Sequence, residues 1–284
     1  MKPAAFAYAK AFSLDHAIEL LGGASAEARV LAGGQSLIAT LNMRLSSPDL
    51  LVDINAVPGL DGIAVKDGML EIGALVRHAQ AERSDVVARH APLIAMALPH
   101  IGHAAIRNRG TVGGSIAFAD PAAELPACLV ALGGEVSLAG PDGRRSVAAE
   151  QFFRGLFETA LSPCDVLTAI RVPLATRDCR FGFAEFSRRH GDYAMVGLAA
   201  QARAEGDGLR AIRLVYFGVG ATPVRARNAE AALAADPLRI AAAASALARD
   251  LDPPDDLQAS AAVKKHLAGV LLERVAQQLM AGHT

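Results

Sequence analysis

The chain has 284 residues, of which 52% are hydrophobic, so it can bury a core in one large domain or in two or three small ones. Its 28 basic and 29 acidic residues give a formal net charge of −1 without runs of like charge, which excludes the usual electrostatic surface for nucleic acid or acidic membranes. Cys128, Cys164 and Cys179 are widely spaced, and the eight histidines show no metal-ligand spacing. We therefore expect a reducing, cytoplasmic setting and no metal, disulfide framework or iron–sulfur cluster in this chain.

Residues 1–10 alternate apolar and polar side chains and lack the basic and apolar regions of a signal peptide. The apolar tract at residues 240–248 is mostly alanine, and no apolar run reaches 18 residues. The sequence thus predicts neither a secretory signal nor a membrane anchor.

Strand-like and helix-like stretches alternate over the first 175 residues, which is typical of an α/β or α+β protein. In chain order, the pattern first predicts a helix at residues 14–21 capped by Ser13, a strand at 29–32, a helix at 37–45 and a strand at 50–54. A strand at 69–76 and helices at 86–98 and 122–132 follow. The last predicted elements of this part are a hairpin of strands 135–139 and 145–147 around a turn at 140–143, and a strand at 166–172.

The pattern changes after a polar joint at residues 173–179. It then predicts three antiparallel strands at 181–187, 194–204 and 209–218 with a turn at 205–208, followed by helices near 226–234, 238–248 and 259–280. A small three-stranded sheet with helices on one side is the simplest arrangement. With Pro58 and Gly59 as a second joint, we predict an α+β fold in three parts: residues 1–56, 57–175 and 176–284.

The first glycine loop, residues 32–37, has the sequence AGGQSL and joins a predicted strand to a predicted helix. Glycines let successive backbone N–H groups converge on an anion, and a helix N-terminus behind them favours phosphate. A pyrophosphate fits this loop, and so does an ordinary strand-to-helix turn.

The second glycine loop, residues 107–115, has the sequence RNRGTVGGS and adds hydroxyl groups from Thr111 and Ser115. A carboxylate follows at Asp120 or Glu124 that can accept a hydrogen bond from a ribose hydroxyl. The two Gly-Gly loops lie about 80 residues apart, and neither is a Walker A or GxGxxG motif. Together they predict a dinucleotide held between two subdomains without a Rossmann fold.

The segments AGGQSL and IRNRGTVGGSIAFADPAAELPA, with FAEFSRRHGDYAM at residues 183–195, resemble the FAD-binding medium subunits of molybdenum hydroxylases. That family includes carbon monoxide dehydrogenase flavoproteins and the flavin domains of xanthine dehydrogenases. The resemblance covers nearly the whole chain. It implies a PCMH-type fold in which two α/β subdomains, residues 1–56 and 57–175, clasp FAD and precede a small C-terminal domain.

The resemblance also implies roles for single residues. Around the pyrophosphate and flavin it places Ala32, Gly33, Gly34, Gln35, Ser36 and Leu37. On the other side of the cofactor it places Gly110, Thr111, Gly113, Gly114, Ser115 and Ala117. The remaining contacts it implies are Ile101 and His103 against FAD, Asp120 and Glu124 near the adenosine ribose, Leu167 at the adenine, and Tyr193 beside the isoalloxazine.

Plainer alternatives remain for several of these side chains. His103 is also compatible with an ordinary half-buried histidine, and Arg107 and Arg109 with carbonyl-capping or solvent-exposed residues. Tyr193 is compatible with a core residue of the C-terminal domain, and Cys128 is expected to be core. Ser187 stands where many family members carry a lysine, which removes a cation from the expected flavin edge.

The resemblance finally implies partners. It predicts a molybdopterin-binding large subunit and a small subunit with two [2Fe–2S] clusters, assembled as a dimer of heterotrimers. In that arrangement this chain has no catalytic residue for the organic substrate, and passes electrons through FAD to an external acceptor. An autonomous FAD-dependent oxidoreductase and a flavin-free assembly module are the two alternatives.

Overall fold

The computed structural model describes residues 2–24, 27–206, 208–237 and 239–281. Its strands are β1 (Ala7–Lys10), β2 (Ala28–Leu31), β3 (Leu50–Asp53), β4 (Ile63–Lys66), β5 (Met69–Gly73), β6 (Glu135–Gly140), β7 (Gly143–Ala148), β8 (Phe153–Gly155), β9 (Glu158–Thr159), β10 (Val166–Pro173), β11 (Cys179–Phe186), β12 (Val196–Glu205), β13 (Gly208–Phe217) and β14 (Val224–Arg225). Its α-helices are α1 (Leu14–Gly22), α2 (Leu37–Asn42), α3 (His78–Glu82), α4 (Asp85–His90), α5 (Pro92–Ala97), α6 (Ala104–Arg107), α7 (Val112–Phe118), α8 (Glu124–Ala131), α9 (Ala149–Phe152), α10 (Arg227–Ala235), α11 (Ile240–Ala246) and α12 (Ala261–Ala281).

The N-terminal unit is a three-stranded parallel sheet with the order β1-β3-β2. Helix α1 connects β1 to β2, and α2 connects β2 to β3, as parallel strands require. The Ser13 hydroxyl accepts a hydrogen bond from the backbone N–H of His16 at 3.1 Å, which confirms the predicted cap. The first glycine loop lies between β2 and α2.

The second unit is a five-stranded sheet with the order β4-β5-β10-β6-β7, and all its pairings are antiparallel. The predicted hairpin is confirmed, since β6 and β7 pair across Pro141 and Asp142. Every residue of α8 is buried, and six of the eight belong to the largest core cluster, which also contains side chains of the five-stranded sheet. The helix packs against β12 and β13 of the C-terminal sheet.

The C-terminal sheet contains the three predicted antiparallel strands and a fourth, the two-residue β14, which pairs with β13. Helices α10, α11 and α12 cover one face, as predicted. The other face packs against α5 and α8, so β12 and β13 are buried on both sides. The prediction of helices on one side alone is therefore incomplete. Asp207 of the predicted turn and Leu238 of a predicted helix lie outside the described residues.

The single helix predicted at residues 86–98 is wrong. Two helices, α4 and α5, occupy this stretch and meet at Ala91, which leaves the helical region at φ −139°. Pro92 is the first residue of α5, where its missing N–H costs nothing, but it cannot continue α4. A 3-10 turn at Leu98–His100 follows. No helix in the described part of the chain is long and apolar enough to cross a membrane.

Candidate functional site

The first glycine loop opens a short cradle of backbone N–H groups. Gly34 adopts φ +74°, a left-handed conformation that favours glycine. Within the described residues, the backbone N–H groups of Gly34, Gln35 and Ser36 donate to no protein acceptor, and the Ser36 side chain does not cap α2. Three adjacent donors left free by the fold suit an anionic ligand.

The second glycine loop uses its N–H groups within the protein. The Thr111 hydroxyl accepts from the Gly114 N–H at 3.1 Å and caps α7, while the Gly113 N–H donates to the Ala74 carbonyl at 3.0 Å. A Cβ at Gly113 would lie 2.5 Å from that of Ala74, so glycine is required for this packing. The loop can therefore offer a ligand a close backbone surface and the Ser115 hydroxyl rather than a set of free amides.

The two loops touch each other, although they are far apart in sequence. A Cβ added at Gly33 would overlap the carbonyl oxygen of Arg109 and lie 2.9 Å from the Cα of Gly110. The contact joins the parallel sheet to the antiparallel unit, so a ligand of the first loop also faces the second subdomain. Gly33 and Gly110, which the resemblance places on two sides of the cofactor, therefore lie next to each other in the fold, and their contact with FAD stays a prediction.

Arg77 bridges the loops from the other side. Its guanidinium donates to the carbonyl of Arg109 in the second loop and to Asn55 Oδ1 at 2.7 Å. The Asn55 amide in turn donates to the carbonyl of Ala32 at 2.9 Å and to Asp53 Oδ1 at 2.7 Å. Arg77 and Asn55 therefore fix the spacing of the loops, and neither lies in a motif that the sequence analysis used.

Replacing Arg77 with Met is expected to weaken FAD binding about tenfold, or about 1.4 kcal/mol, because two bridging hydrogen bonds are lost. The measurement is a fluorescence titration of FAD-stripped protein with FAD. Arg83→Met, at an exposed position after α3, is the matched control. Equal dissociation constants for the two variants would contradict the bridging role.

His78 lies beneath the second loop and is 5% exposed. Its Nδ1 and Nε2 atoms have no hydrogen-bond partner among the described residues, and a Cβ at Gly110 would lie 3.0 Å from Nδ1. Burial lowers the pKa of His78 to about 4 against the opposing influence of the Thr111 backbone, and the guanidinium groups of Arg107 and Arg77 lower it further. The imidazole is consequently neutral and supports Gly110 by packing.

An acidic wall, formed by Asp120 and Glu124, follows α7. Burial raises the pKa of Asp120, although the Ala122 N–H donates to its Oδ1 at 2.9 Å. Glu124 is 7% exposed, and burial raises its pKa to about 8, with the carboxylates of Glu185 and Asp120 adding to the shift. Glu124 is therefore largely protonated at neutral pH and can both donate and accept hydrogen bonds.

Glu185 brings the C-terminal domain to this wall. Its side chain is buried on β11, with Oε1 lying 3.3 Å from His100 Nδ1 and Oε2 lacking a hydrogen-bond partner in the described structure. His100 also contacts the ring of Phe183, with centroids 5.0 Å apart. The contact of Glu185 with His100 thus lies where the antiparallel unit meets the C-terminal sheet.

The turn before β12 contacts the segment that precedes the second loop. Gly191 adopts φ +86°, and a Cβ there would lie 2.8 Å from the Gly102 carbonyl oxygen and 2.9 Å from His103 Nδ1. Tyr193 is 57% exposed, so the alternative of a core residue is wrong. Partial burial and the carboxylates of Asp120 and Glu124 raise the pKa of Tyr193, which shows that the acidic wall is near its hydroxyl.

The other predicted residues divide between surface and core. His103 is exposed, which excludes an ordinary half-buried histidine, and Cys128 is fully buried, as expected. Arg107 pairs with Glu82 at 2.8 Å and donates to the Gly102 carbonyl, in line with the carbonyl-capping alternative. Partly buried positions of the candidate site are Ala32, Gln35, Leu37, Ser115 and Ala117. Ile101 and Leu167, 8% and 6% exposed, belong to the main core cluster, and their contact with FAD stays a prediction.

These features fit a dinucleotide. The free N–H groups of the first loop match a pyrophosphate, and the protonated Glu124 and neighbouring Asp120 match ribose hydroxyls. A Cβ at Gly114 would lie 2.7 Å from Thr111 Oγ1, so the hydrogen bond that caps α7 leaves no room for a side chain at this position. The chemistry of the donor set therefore agrees with FAD.

Comparison with known proteins also identifies an FAD-binding protein. The family model described as FAD binding domain in molybdopterin dehydrogenase matches residues 4–175, and the CO dehydrogenase flavoprotein C-terminal domain matches residues 181–279. A 6-hydroxypseudooxynicotine dehydrogenase complex subunit alpha from Paenarthrobacter nicotinovorans is 40% identical over 278 residues, covering 96% of this chain and 94% of that one.

Solved structures extend the likeness to three dimensions. A carbon monoxide dehydrogenase chain from Hydrogenophaga pseudoflava gives a TM-score of 0.95 at 36% identity, with 99% of both chains covered. Quinoline 2-oxidoreductase from Pseudomonas putida 86 gives a TM-score of 0.93 at 35% identity, again with 99% of both chains covered.

The fold and the paired loops define an FAD-binding oxidoreductase subunit, with FAD as its cofactor. The chain belongs to the family of FAD-binding medium subunits of molybdopterin dehydrogenases, of the carbon monoxide dehydrogenase type. The resemblance drawn from the sequence is thereby confirmed for family, fold class and cofactor.

Proposed function

We propose that this chain receives electrons from [2Fe–2S] clusters of a partner subunit and passes them, through the FAD it binds, to an external acceptor. The main structural support for this proposal is the contact of Gly33 with Arg109 and Gly110. This contact brings the two glycine loops together beside free N–H donors and so would form the binding site of the FAD through which the electrons would pass. The sequence has three cysteines, fewer than the four thiolates that a [2Fe–2S] cluster commonly needs, which supports placing the clusters on another chain.

The residues of this chain would bind and orient the cofactor. The N–H groups of Gly34, Gln35 and Ser36 would hold the pyrophosphate, and Arg77 would keep the second loop at the required distance. Asp120 and Glu124 would contact ribose hydroxyls, and Tyr193 would cover the isoalloxazine. Bound FAD supplies the redox chemistry and accepts electrons singly or in pairs.

The partners follow from the same reasoning. We propose a large molybdopterin-binding subunit that oxidises the organic substrate and a small [2Fe–2S] subunit, arranged as a dimer of heterotrimers in the cytoplasm. Names such as "complex subunit alpha" and "medium chain" among the relatives support a multi-subunit assembly. We also propose the boundaries 1–56, 57–175 and 176–284 for the two FAD-binding subdomains and the C-terminal domain.

The test is purification of the native complex through a tag on this chain, from cells carrying either the natural chain or Gly33→Ala. In the natural complex, substrate should bleach both iron–sulfur and flavin absorbance and support turnover with an acceptor. In the variant complex, substrate should still bleach the iron–sulfur absorbance, but turnover should stop. Turnover by the isolated natural chain, or normal turnover by a flavin-free complex, would contradict the proposed electron path.

A further inference from the structure

Lys264 is buried, although it carries a charge. The residue is 2% exposed, and its ammonium group donates to Asp256 Oδ2 at 2.6 Å and to the Gly218 carbonyl at 3.2 Å. Removing a lysine from water is costly, and apolar replacements of a buried ion pair are often at least as stable. The position of this ammonium group is therefore better explained by what it holds than by a gain in stability.

The carbonyl that accepts from Lys264 belongs to Gly218, and Gly218 contacts two segments of the candidate site. Gly218 adopts φ +75°, and its N–H donates to the Pro121 carbonyl at 2.8 Å. A Cβ at Gly218 would lie 2.7 Å from the Met195 carbonyl oxygen and 3.1 Å from that of Ala194. Pro121 follows Asp120, and Ala194 follows Tyr193, so the turn at Gly218 contacts both the start of the acidic wall and the segment that holds Tyr193.

The partner of Lys264 is itself fixed in place. Asp256 Oδ1 accepts from the N–H groups of Gln258 at 2.8 Å and Ala259 at 2.9 Å, while Oδ2 faces the ammonium group. These bonds fix the loop before α12, so the Lys264 ammonium group donates to the Gly218 carbonyl from a defined direction. The chain of contacts runs from Asp256 through Lys264 and Gly218 to Pro121.

We propose that Lys264 is a positioning residue for the flavin site: its hold on the Gly218 carbonyl sets the placement of residues 120–124 and of Tyr193. The inference rests on the proposed function, because it assigns to Tyr193 and the acidic wall a place beside FAD. It gives the C-terminal domain a part in cofactor binding, through a residue that itself lies outside the cradle.

Lys265 provides a matched control on the same helix. Its side chain is 46% exposed, and its ammonium group lies 3.2 Å from an exposed carboxylate, that of Asp252. A pair of this kind contributes little to stability and touches no segment of the site. Lys264→Met and Lys265→Met remove the same charge and keep a similar side-chain length.

The experiment measures FAD affinity and the visible circular dichroism of bound flavin in the full chain. For Lys264→Met we expect an FAD dissociation constant raised about tenfold and an altered flavin dichroism, with Lys265→Met like the natural chain. The double variant Lys264→Met with Asp256→Asn leaves no unpaired carboxylate and should show the same changes if the single variant folds poorly.

Two results would overturn the proposal: natural affinity and dichroism in the Lys264 variants, or a loss of FAD that merely tracks the unfolded fraction with unchanged dichroism of the remainder. Failure of the proposed function looks different, because it would appear as turnover by the isolated natural chain or by a flavin-free complex, and neither result depends on the Lys264 variants.

Discussion

Replacing Gly33 with Ala is expected to raise the dissociation constant for FAD at least about 100-fold, roughly 3 kcal/mol of binding free energy. The added methyl group would overlap the Arg109 carbonyl oxygen and approach the Gly110 Cα. Both neighbours are backbone atoms that the Arg77 guanidinium and the backbone pairing with residues 76–78, which follow β5, hold in place. The substitution must therefore push the two loops apart.

The control for this prediction is Gly62→Ala. A Cβ at Gly62 meets no atom within 4 Å, so this variant should retain the natural FAD content. Thermal unfolding of FAD-stripped protein separates a local effect on the loops from loss of the fold. Purified Gly33→Ala with a full complement of FAD would show that contact between the loops is not needed for binding.

The second large effect concerns Glu124 and pH. Burial raises its pKa to about 8 in the folded protein, from an ordinary value of 4.5, so between these values the folded chain holds more protons than the unfolded chain. The contribution of Glu124 to the free energy of unfolding then falls as the pH rises from about 5 to 8. The pKa difference corresponds to as much as about 5 kcal/mol, and we expect at least about 2 kcal/mol to be measurable.

Glu124→Gln removes this ionisation and keeps a polar side chain of nearly the same size. In FAD-stripped protein, the variant should gain stability relative to the natural chain at pH 8 and show a flatter profile between pH 5 and 8, by urea unfolding. Glu273→Gln, at an exposed position on α12, should leave the profile unchanged. An unchanged slope in Glu124→Gln would place the proton elsewhere, for example on Asp120.

Several parts of the structure were predictable from residue type and spacing. The cap at Ser13, the hairpin around Pro141 and Asp142, and the three long C-terminal strands follow from local preferences, which act over a few residues. Pro92 could have indicated the end of a helix, but the apolar periodicity continues on both sides of it and favoured a single helix. The two-residue β14 is too short to give a periodic signal.

The site was predictable only in part. The glycines of both loops were found because close backbone approach demands them, whereas Arg77, Asn55 and Lys264 act through long-range contacts that no local pattern announces. The sequence also did not show that the first loop has free N–H groups while the second uses its own within the protein, because this difference depends on which N–H groups the fold already uses. Those of the second loop are taken by Ala74, Val76 and Thr111.

We propose that this chain holds FAD between its two glycine loops. Native mass spectrometry of the chain released from its purified complex tests that claim most directly, with Gly33→Ala measured alongside. We expect one FAD retained per natural chain and a much smaller retained fraction on the variant. FAD leaving with a different subunit, or a natural chain that carries no FAD, would contradict it.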